Sequence, residues 1–308
     1  MARKVLFVAD PGIDTAFALA LALNDPGLEV VGILPTAGNV SAEQATANVH
    51  TLIDVIDPPK WPKLAAALPA RYDADGLALH GPDGLGGVHF PSATRHTLQP
   101  ADKVLCELAH HYPRQLTVVN LGPLTTLATA LDRDPSLPAV LDQTVIVGGC
   151  WREPGNSGPV AEFHIYLDPD AAQRVLRADL HPLLLPLDVT RKLVFSPTDL
   201  LEVPNNESRT CQFLRRIIPY GIRASSNLYG IEGFHLKDVL GVAAVALPAA
   251  VPSKAYFVNV ETKGELTRGM TVIDSRPNPS GPPNTRVATG VAIPEVREYI
   301  LRTLRTAL

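Results

Sequence analysis

Short runs of aliphatic and β-branched residues alternate with longer stretches whose apolar positions recur at helical spacing. The first run, residues 5–8 (Val-Leu-Phe-Val), predicts a strand, and residues 15–23 predict a helix. A second strand at 28–34 leads into Ser41-Ala42-Glu43-Gln44. That tetrapeptide fits a capping box, in which the hydroxyl accepts from an unpaired amide of the first turn and the Gln reaches back. It opens a helix to about Ile56. Further on, the pattern predicts a helix at 101–112, a strand at 116–120, a helix at 124–131 and a strand at 144–147 that runs into Gly148-Gly149. A helix at 168–178 and a strand at 183–187 complete this part. Strand–helix alternation at this spacing implies an α/β fold: an open, mostly parallel sheet with helices on both faces.

After Pro197 the texture changes. Residues 213–220 and 238–247 predict helices, while 256–262 and 270–274 predict strands, with a turn at Lys263-Gly264. Residues 276–283 are rich in Pro, Gly and Asn and predict a loop. A strand at 286–291 and a helix at 294–308, with Pro in its first turn, close the chain. No internal repeat interrupts this order and no linker is long enough to force a division, so residues 1–308 are expected to form one domain.

Composition narrows the function. Of 308 residues, 46% are hydrophobic and 19% charged, enough to bury a large core and too apolar for disorder. A formal charge of −4 argues against general binding to nucleic acid or to an anionic membrane, since both need a basic face. No apolar run reaches membrane-spanning length, and the first apolar run is cut short by Asp10, unlike a signal peptide. Cys106, Cys150 and Cys211 are far apart and odd in number, which suggests neither a disulfide framework nor a zinc site. A cytoplasmic enzyme is the expectation.

In an open parallel sheet, ligands bind beyond the carboxyl ends of the strands. The first strand delivers Asp10 and Asp14 in Asp10-Pro11-Gly12-Ile13-Asp14, the second Asn39, and the strand at 144–147 leads to Trp151, Asn156, Glu162 and His164. Lys237-Asp238 opens a later helix. Any one of these can be a cap or turn former. As a set, Asp10, Asp14, Glu162 and Asp238 crowd one cleft, and clustered carboxylates repel unless a cation or a polyol lies among them. A phosphatase built on an Asp nucleophile would want a second Asp two residues on, where Gly12 stands.

The segment 10–14 resembles the N-terminal signature DTDPGxDDA of the nucleoside hydrolases, the inosine–uridine-preferring family. Similar stretches follow in order: Gly38-Asn39, His80-Gly81, Gly122-Pro123-Leu124-Thr125, Val147-Gly148-Gly149, Ala161-Glu162-Phe163, Asp168-Pro169-Asp170-Ala171-Ala172, and residues 266–272. They span nearly the whole chain. The resemblance implies a ribonucleoside N-ribohydrolase that releases nucleobase and ribose, or cleaves a related ribosyl compound. It implies Ca²⁺ in the cleft, held by Asp10, the Leu121 carbonyl, Asp238 and the position of Thr15. It casts Asp10 as the base that takes a proton from the attacking water. It places Asp14, Asn39, Asn156, Glu162 and His164 around the ribose, and a dimer or tetramer is usual for the family. Hard oxygen ligands suit Ca²⁺, and hydrogen bonds to ribose stabilise an oxocarbenium-like transition state.

The chain departs from the family at chemically telling positions. Val8 and Thr15 replace aspartates of the signature, His164 replaces an Asn, and Lys237 replaces a His that assists the leaving base. An ammonium roughly 6 Å from a dication repels it by ~5 kcal/mol at an effective dielectric of 20. Ca²⁺ binding is therefore expected to be weak or absent, with Lys237 pointing into the cleft and taking part in catalysis in the cation's stead. Trp151 is open between stacking on a nucleobase and packing, and His80 between contacting the substrate and lying exposed in a loop. Tyr220, Tyr229, Phe234 and His235 fall in the segment that caps the base in this family. The competing reading is a degenerate member that binds a ribosyl ligand or a protein partner without hydrolysis.

Overall fold

A computed structural model describes residues 2–71, 76–91 and 98–307. Its strands, in chain order, are β1 (Arg3–Ala9), β2 (Leu28–Pro35), β3 (Lys63–Leu64), β4 (Leu116–Leu121), β5 (Gln143–Val147), β6 (Leu183–Leu185), β7 (Val194–Phe195), β8 (Phe234–His235), β9 (Ser253–Val260), β10 (Thr271–Asp274) and β11 (Thr285–Ala288). Among the described residues nine of them form one sheet in the order β10-β9-β11-β6-β5-β4-β1-β2-β3. Every pairing from β3 across to β11 is parallel. Only β9 runs against its neighbours. The short pair β7–β8 lies outside this sheet. The open, mostly parallel sheet expected from the sequence is the observed fold, and the C-terminal strands extend it.

The chain leaves β1 toward β2 and β3 on one side, then returns through β4 to β5 and β6 on the other. The switch point between β1 and β4 is where such sheets open a crevice. Along β1 the side chains alternate between the faces: Val5, Phe7 and Ala9 enter one apolar cluster, and Leu6 and Val8 the other. Each large side chain so buried contributes ~1.5–3 kcal/mol. Helices cover both faces. On the first lies the helix Ile13–Asn24, whose residues 13–22 are all buried. Its small alanines allow close approach to the equally apolar helix Val239–Ala246.

Several elements differ from their sequence expectation. The first helix begins at Ile13, so Asp14 and Thr15 lie in its first turn. Ser41 caps the next helix, Ala42–Ile56, by accepting from Gln44 N at 3.3 Å. The box does not close, because the Gln44 amide instead donates to Asn48 Oδ1 at 2.8 Å. A full capping box forms at Ser196 and Asp199. The helix predicted at 213–220 is Arg209–Tyr229, continuing through Pro219, whose missing N–H costs one helical hydrogen bond but does not end it. The strand predicted at 183–187 stops at Leu185. The closing helix is Ile293–Arg305. Leu308, the expected end of that helix, lies outside the described residues.

Candidate active site

β1 ends at Ala9, and Asp10 follows with no solvent exposure. Gly38 makes room for its carboxylate, and Gly12 makes room for Asn39 and His80. A Cβ at Gly38 would overlap Asp10, and one at Gly12 would lie 2.8 Å from both Asn39 Nδ2 and His80 Nδ1. Asn39 anchors Asp10 twice: its backbone N–H donates to Asp10 Oδ2 at 3.2 Å, and its side-chain amide donates to the Asp10 carbonyl at 3.0 Å. On the far side His164 lies buried with Nε2 3.5 Å from Asp10 Oδ2. The His164 ring is fixed by Nδ1, which is 3.0 Å from the Val147 carbonyl at the end of β5. With Nδ1 against a carbonyl, that nitrogen carries a hydrogen, and Nε2 is the ring atom that faces Asp10.

Asp238 precedes the first residue of the helix Val239–Ala246, without a capping hydrogen bond from its side chain. Thr15, in the first turn of the facing helix, donates its hydroxyl proton to Asp238 Oδ2 at 2.6 Å. Two buried helix N-termini thus meet over the carboxylates, and their amide ends favour negative charge there. Asp10 Oδ1 and Asp238 Oδ1 are buried without a hydrogen-bond partner among the described residues. Burial first, then the charges of Asp238 and Asp14, raise the Asp10 carboxyl well above its usual range, with Lys237 and the Asn39 amide opposing. Burial and Asp14 raise Asp238 likewise, against Thr15 and Lys237. Leu121 closes β4 beside Ala9, with its side chain buried.

Glu162 is held by structure on one oxygen. Its Oε2 accepts from the backbone N–H groups of Gly149, His164 and Ile165 at 3.1, 3.0 and 3.3 Å. Asn156 Oδ1 accepts from Phe163 N at 2.8 Å. His80 is buried rather than exposed. Its Nδ1 accepts from Ile13 N at 3.1 Å, and its Nε2 stands 3.9 Å from Asp14 Oδ1. Burial, reinforced by Lys237 and His164 against Asp14, pushes the His80 ring down to about 4, so it is neutral at neutral pH.

Lys237 faces the cleft. Burial alone would lower its pKa, but Asp14, Glu162 and Asp238 together hold it above the ordinary lysine value. It lines a cavity of about 200 Å³ with Asn156, Arg191, Ser225, Tyr229 and His235. His235 is pushed down to about 4 by burial and by Lys237 and Arg191. Ser225 Oγ and His235 Nδ1 have no hydrogen-bond partner among the described residues. Sequence reasoning missed Arg191 and Ser225. The rule that ligands gather beyond strand ends would have found the turn before Arg191 had the strand at 183–187 been ended at Leu185.

Trp151 does not join the cavity. The N–H groups of Trp151, Arg152 and Glu153 all point at the Asp188 carboxylate, at 2.8, 2.8 and 3.3 Å. The indole therefore packs edge-on against Tyr256, with ring centres 5.1 Å apart, and Arg152 stacks on it. Of the two readings open for Trp151, base stacking is the one this position corrects. A larger cavity of about 520 Å³ lies near Asp25, Glu29 and Asp57, where β1 and β2 begin. Its carboxylates are already matched, by Tyr299, Lys4 and Arg209.

The donor set does not fit a resident divalent cation. Ca²⁺ asks for six to eight oxygen ligands. Here the residues offer Asp10, Asp238, the Leu121 carbonyl and only the neutral Thr15 hydroxyl, beside an ammonium. Among the described residues no three His, Cys, Asp or Glu side chains group so as to hold a metal ion. The two unpartnered carboxylate oxygens are instead suited to hydroxyl donors of a polyol or a water.

A parallel sheet with carboxylates gathered at its switch point, beneath a pocket edged by aromatic and basic groups, defines an enzyme site for a sugar-bearing ligand. Residues 5–298 match the family described as inosine-uridine preferring nucleoside hydrolase, and the chain belongs to that family. Uridine nucleosidase 1 of Arabidopsis thaliana is 32% identical over 309 residues, covering 97% of this chain and 92% of that protein. The non-specific ribonucleoside hydrolase RihC of Escherichia coli is 32% identical over 311 residues, covering 100% of both. The solved plant nucleoside hydrolase PpNRh1 superposes with a TM-score of 0.92 at 27% identity, covering 99% of each chain. The purine-preferring ribonucleoside hydrolase of Gardnerella vaginalis gives 0.91 at 26%, also covering 99% of each.

Proposed function

We propose that this protein hydrolyses the N-glycosidic bond of ribonucleosides, with Asp10 as the general base. The observation that carries the reading is the pair of buried, unpartnered oxygens Asp10 Oδ1 and Asp238 Oδ1 at the switch point, with Lys237, the chain neighbour of Asp238, lining a cavity. Water attacks C1′ and gives its proton to Asp10, while the bond to the base nitrogen breaks and its electron pair leaves with the base. Positive charge that builds on the ribosyl ring faces the carboxylates, and negative charge on the departing base faces Lys237 and Arg191. Asp14, Asn39, Asn156, Glu162 and His164 line or support the ribose side. His235, Tyr229 and Ser225 bound the base, with His80 holding the first turn of the helix behind Asp14. Asp10, Thr15, Leu121 and Asp238 would bind Ca²⁺ weakly at most, for want of ligands.

The same reading takes residues 1–308 as one domain, supported by a sheet that the two halves of the chain share. It takes the protein as a cytoplasmic homo-oligomer with no nucleic-acid or membrane partner. Among the described residues no helix is long and apolar enough to cross a membrane. Free ribose released from a panel of nucleosides, with added Ca²⁺ and with chelator, is the test. Asp10→Asn should lower turnover by ~10²–10⁴-fold, the usual worth of a general base, with the fold intact. A non-hydrolytic family member would bind nucleoside in equilibrium dialysis and release no ribose. That competing reading draws on Val8 and Thr15, which stand where the family signature has aspartates, whereas Asn39, Asn156 and Glu162 favour the enzyme.

A further inference from the structure

Four carboxylates, Asp10, Asp14, Glu162 and Asp238, share the floor of the cleft with one ammonium. Taking the hydrolase reading as its basis, we propose that Lys237 is the built-in cation of this floor, so that the site works without a bound divalent ion.

The position of Lys237 is fixed by its neighbours. Leu236 N donates to the Leu193 carbonyl at 3.0 Å, and Asp238 starts the buried helix Val239–Ala246. The ammonium interacts with Asp14, Glu162 and Asp238, and acts on Asp10 as well. Among the described residues it forms no hydrogen bond or direct ion pair, and it lines the cavity, so its three N–H donors are open to a ligand. On each of the two carboxylates that a metal would need, one oxygen already has a partner of another kind. Asp238 Oδ2 takes the Thr15 proton at 2.6 Å, and Asp10 Oδ2 takes the Asn39 amide at 3.2 Å with His164 Nε2 3.5 Å away. The helix N-termini behind Asp14 and Asp238 add partial positive charge. A dication placed among these groups would face an ammonium and would meet only a neutral hydroxyl at Thr15, in place of a carboxylate.

This arrangement changes how the reaction is driven. An ammonium orients a water or a ribose hydroxyl, but it does not acidify bound water as a dication does. The proton of the attacking water passes to Asp10 Oδ1, the new bond forms from water oxygen to C1′, and the C1′–N pair leaves on the base. Lys237, which holds its proton, stabilises that leaving anion by charge and hydrogen bonding without giving up the proton.

The test is calorimetric titration of chelator-treated protein with Ca²⁺, paired with thermal melts in Ca²⁺ and in EGTA. Wild type, Lys237→His, Lys237→Met and the double variant Thr15→Asp/Lys237→His are compared. Wild type is expected to show no saturable binding at millimolar Ca²⁺ and the same melting temperature in both buffers. The double variant should gain one site at least about tenfold tighter than the wild-type limit, a step of one logarithmic unit. If the double variant fails to fold by circular dichroism, Lys237→Met, which removes only the ammonium, should show the gain in weaker form. Tight stoichiometric binding by wild type, unchanged in Lys237→His, would overturn the proposal. So would folded variants that bind Ca²⁺ no better than wild type. Binding needs no turnover, so the hydrolase reading fails separately, by absence of ribose release across the panel.

Discussion

The hydroxyl of Thr15 and the carboxylate of Asp238 share a 2.6 Å hydrogen bond across 223 positions of sequence. It joins the first turn of one buried helix to the start of another, and both helices are apolar on nearly every side. Thr15→Val keeps the shape and deletes the donor. Asp238 would then have neither oxygen hydrogen-bonded, and the variant should lose about 1–3 kcal/mol, the cost of leaving a buried acceptor unmet. Urea unfolding of the two proteins measures it. Equal stability would mean that Asp238 finds another donor.

Gly38 has no room for a side chain, because a Cβ there would run into the Asp10 carboxylate. Gly38→Ala should therefore fold and displace Asp10. A shift of about 1 Å in a reacting group can cost ~10²-fold in rate. Ribose release should fall by about that much, and the overpacking should also cost about 1–3 kcal/mol of stability. Wild-type turnover in Gly38→Ala would remove Asp10 from the role of base.

The His80 ring gives a pH signature. Burial pushes it down to about 4, while an unfolded histidine titrates near 6.5. Below that ordinary value the unfolded chain binds a proton that the folded chain refuses. The stabilisation is thus complete above about 6.5 and is lost as pH falls toward about 4. The expected slope for one proton is ~1.4 kcal/mol per pH unit. Asp10 and Asp238 are raised by burial, so they bind protons more tightly when folded and give the opposite slope above their ordinary 3.8. His80→Asn separates the two, since it keeps an acceptor for Ile13 N and does not titrate. Its stability at about pH 5 should drop less, relative to about pH 7, than that of wild type.

Ser225 presents an unpartnered hydroxyl to the cavity. Ser225→Ala removes a buried polar group that nothing in the described protein satisfies, so stability should hold or rise. If the hydroxyl meets a nucleobase, KM should rise ~5-fold, the equivalent of one ordinary hydrogen bond. Unchanged KM for every cleaved nucleoside would place the base elsewhere in the pocket.

The layout of the sheet was readable because an apolar run ending in a polar residue marks where a parallel strand stops, as at Ala9 and Asp10. The partners of those polar residues were not readable. Asn39 was expected on ribose hydroxyls, yet its amide is spent on the Asp10 carbonyl through a turn that only folding creates. His80 reads as a loop histidine because the amide it receives belongs to Ile13, 67 residues earlier. Leu187 continues an apolar run and so masks the end of β6, which hides the turn that delivers Arg191. The predicted helix ends at Tyr220, short of the observed Tyr229, and so leaves Ser225 without a face to be assigned to.

The pairing of the helix Ile13–Asn24 with Val239–Ala246 also sets an order of events during synthesis. At ~5–20 residues per second, the stretch between Thr15 and Asp238 takes on the order of ten seconds or more to emerge. Throughout that interval an almost wholly apolar helix has been made and its partner has not. The nascent chain must keep this surface sheltered, and the cleft acquires the last of its four carboxylates, Asp238, only when the last third arrives. Chains that end before Asp238 therefore lack both that carboxylate and the acceptor of the Thr15 hydroxyl, and the first helix stays without its apolar partner.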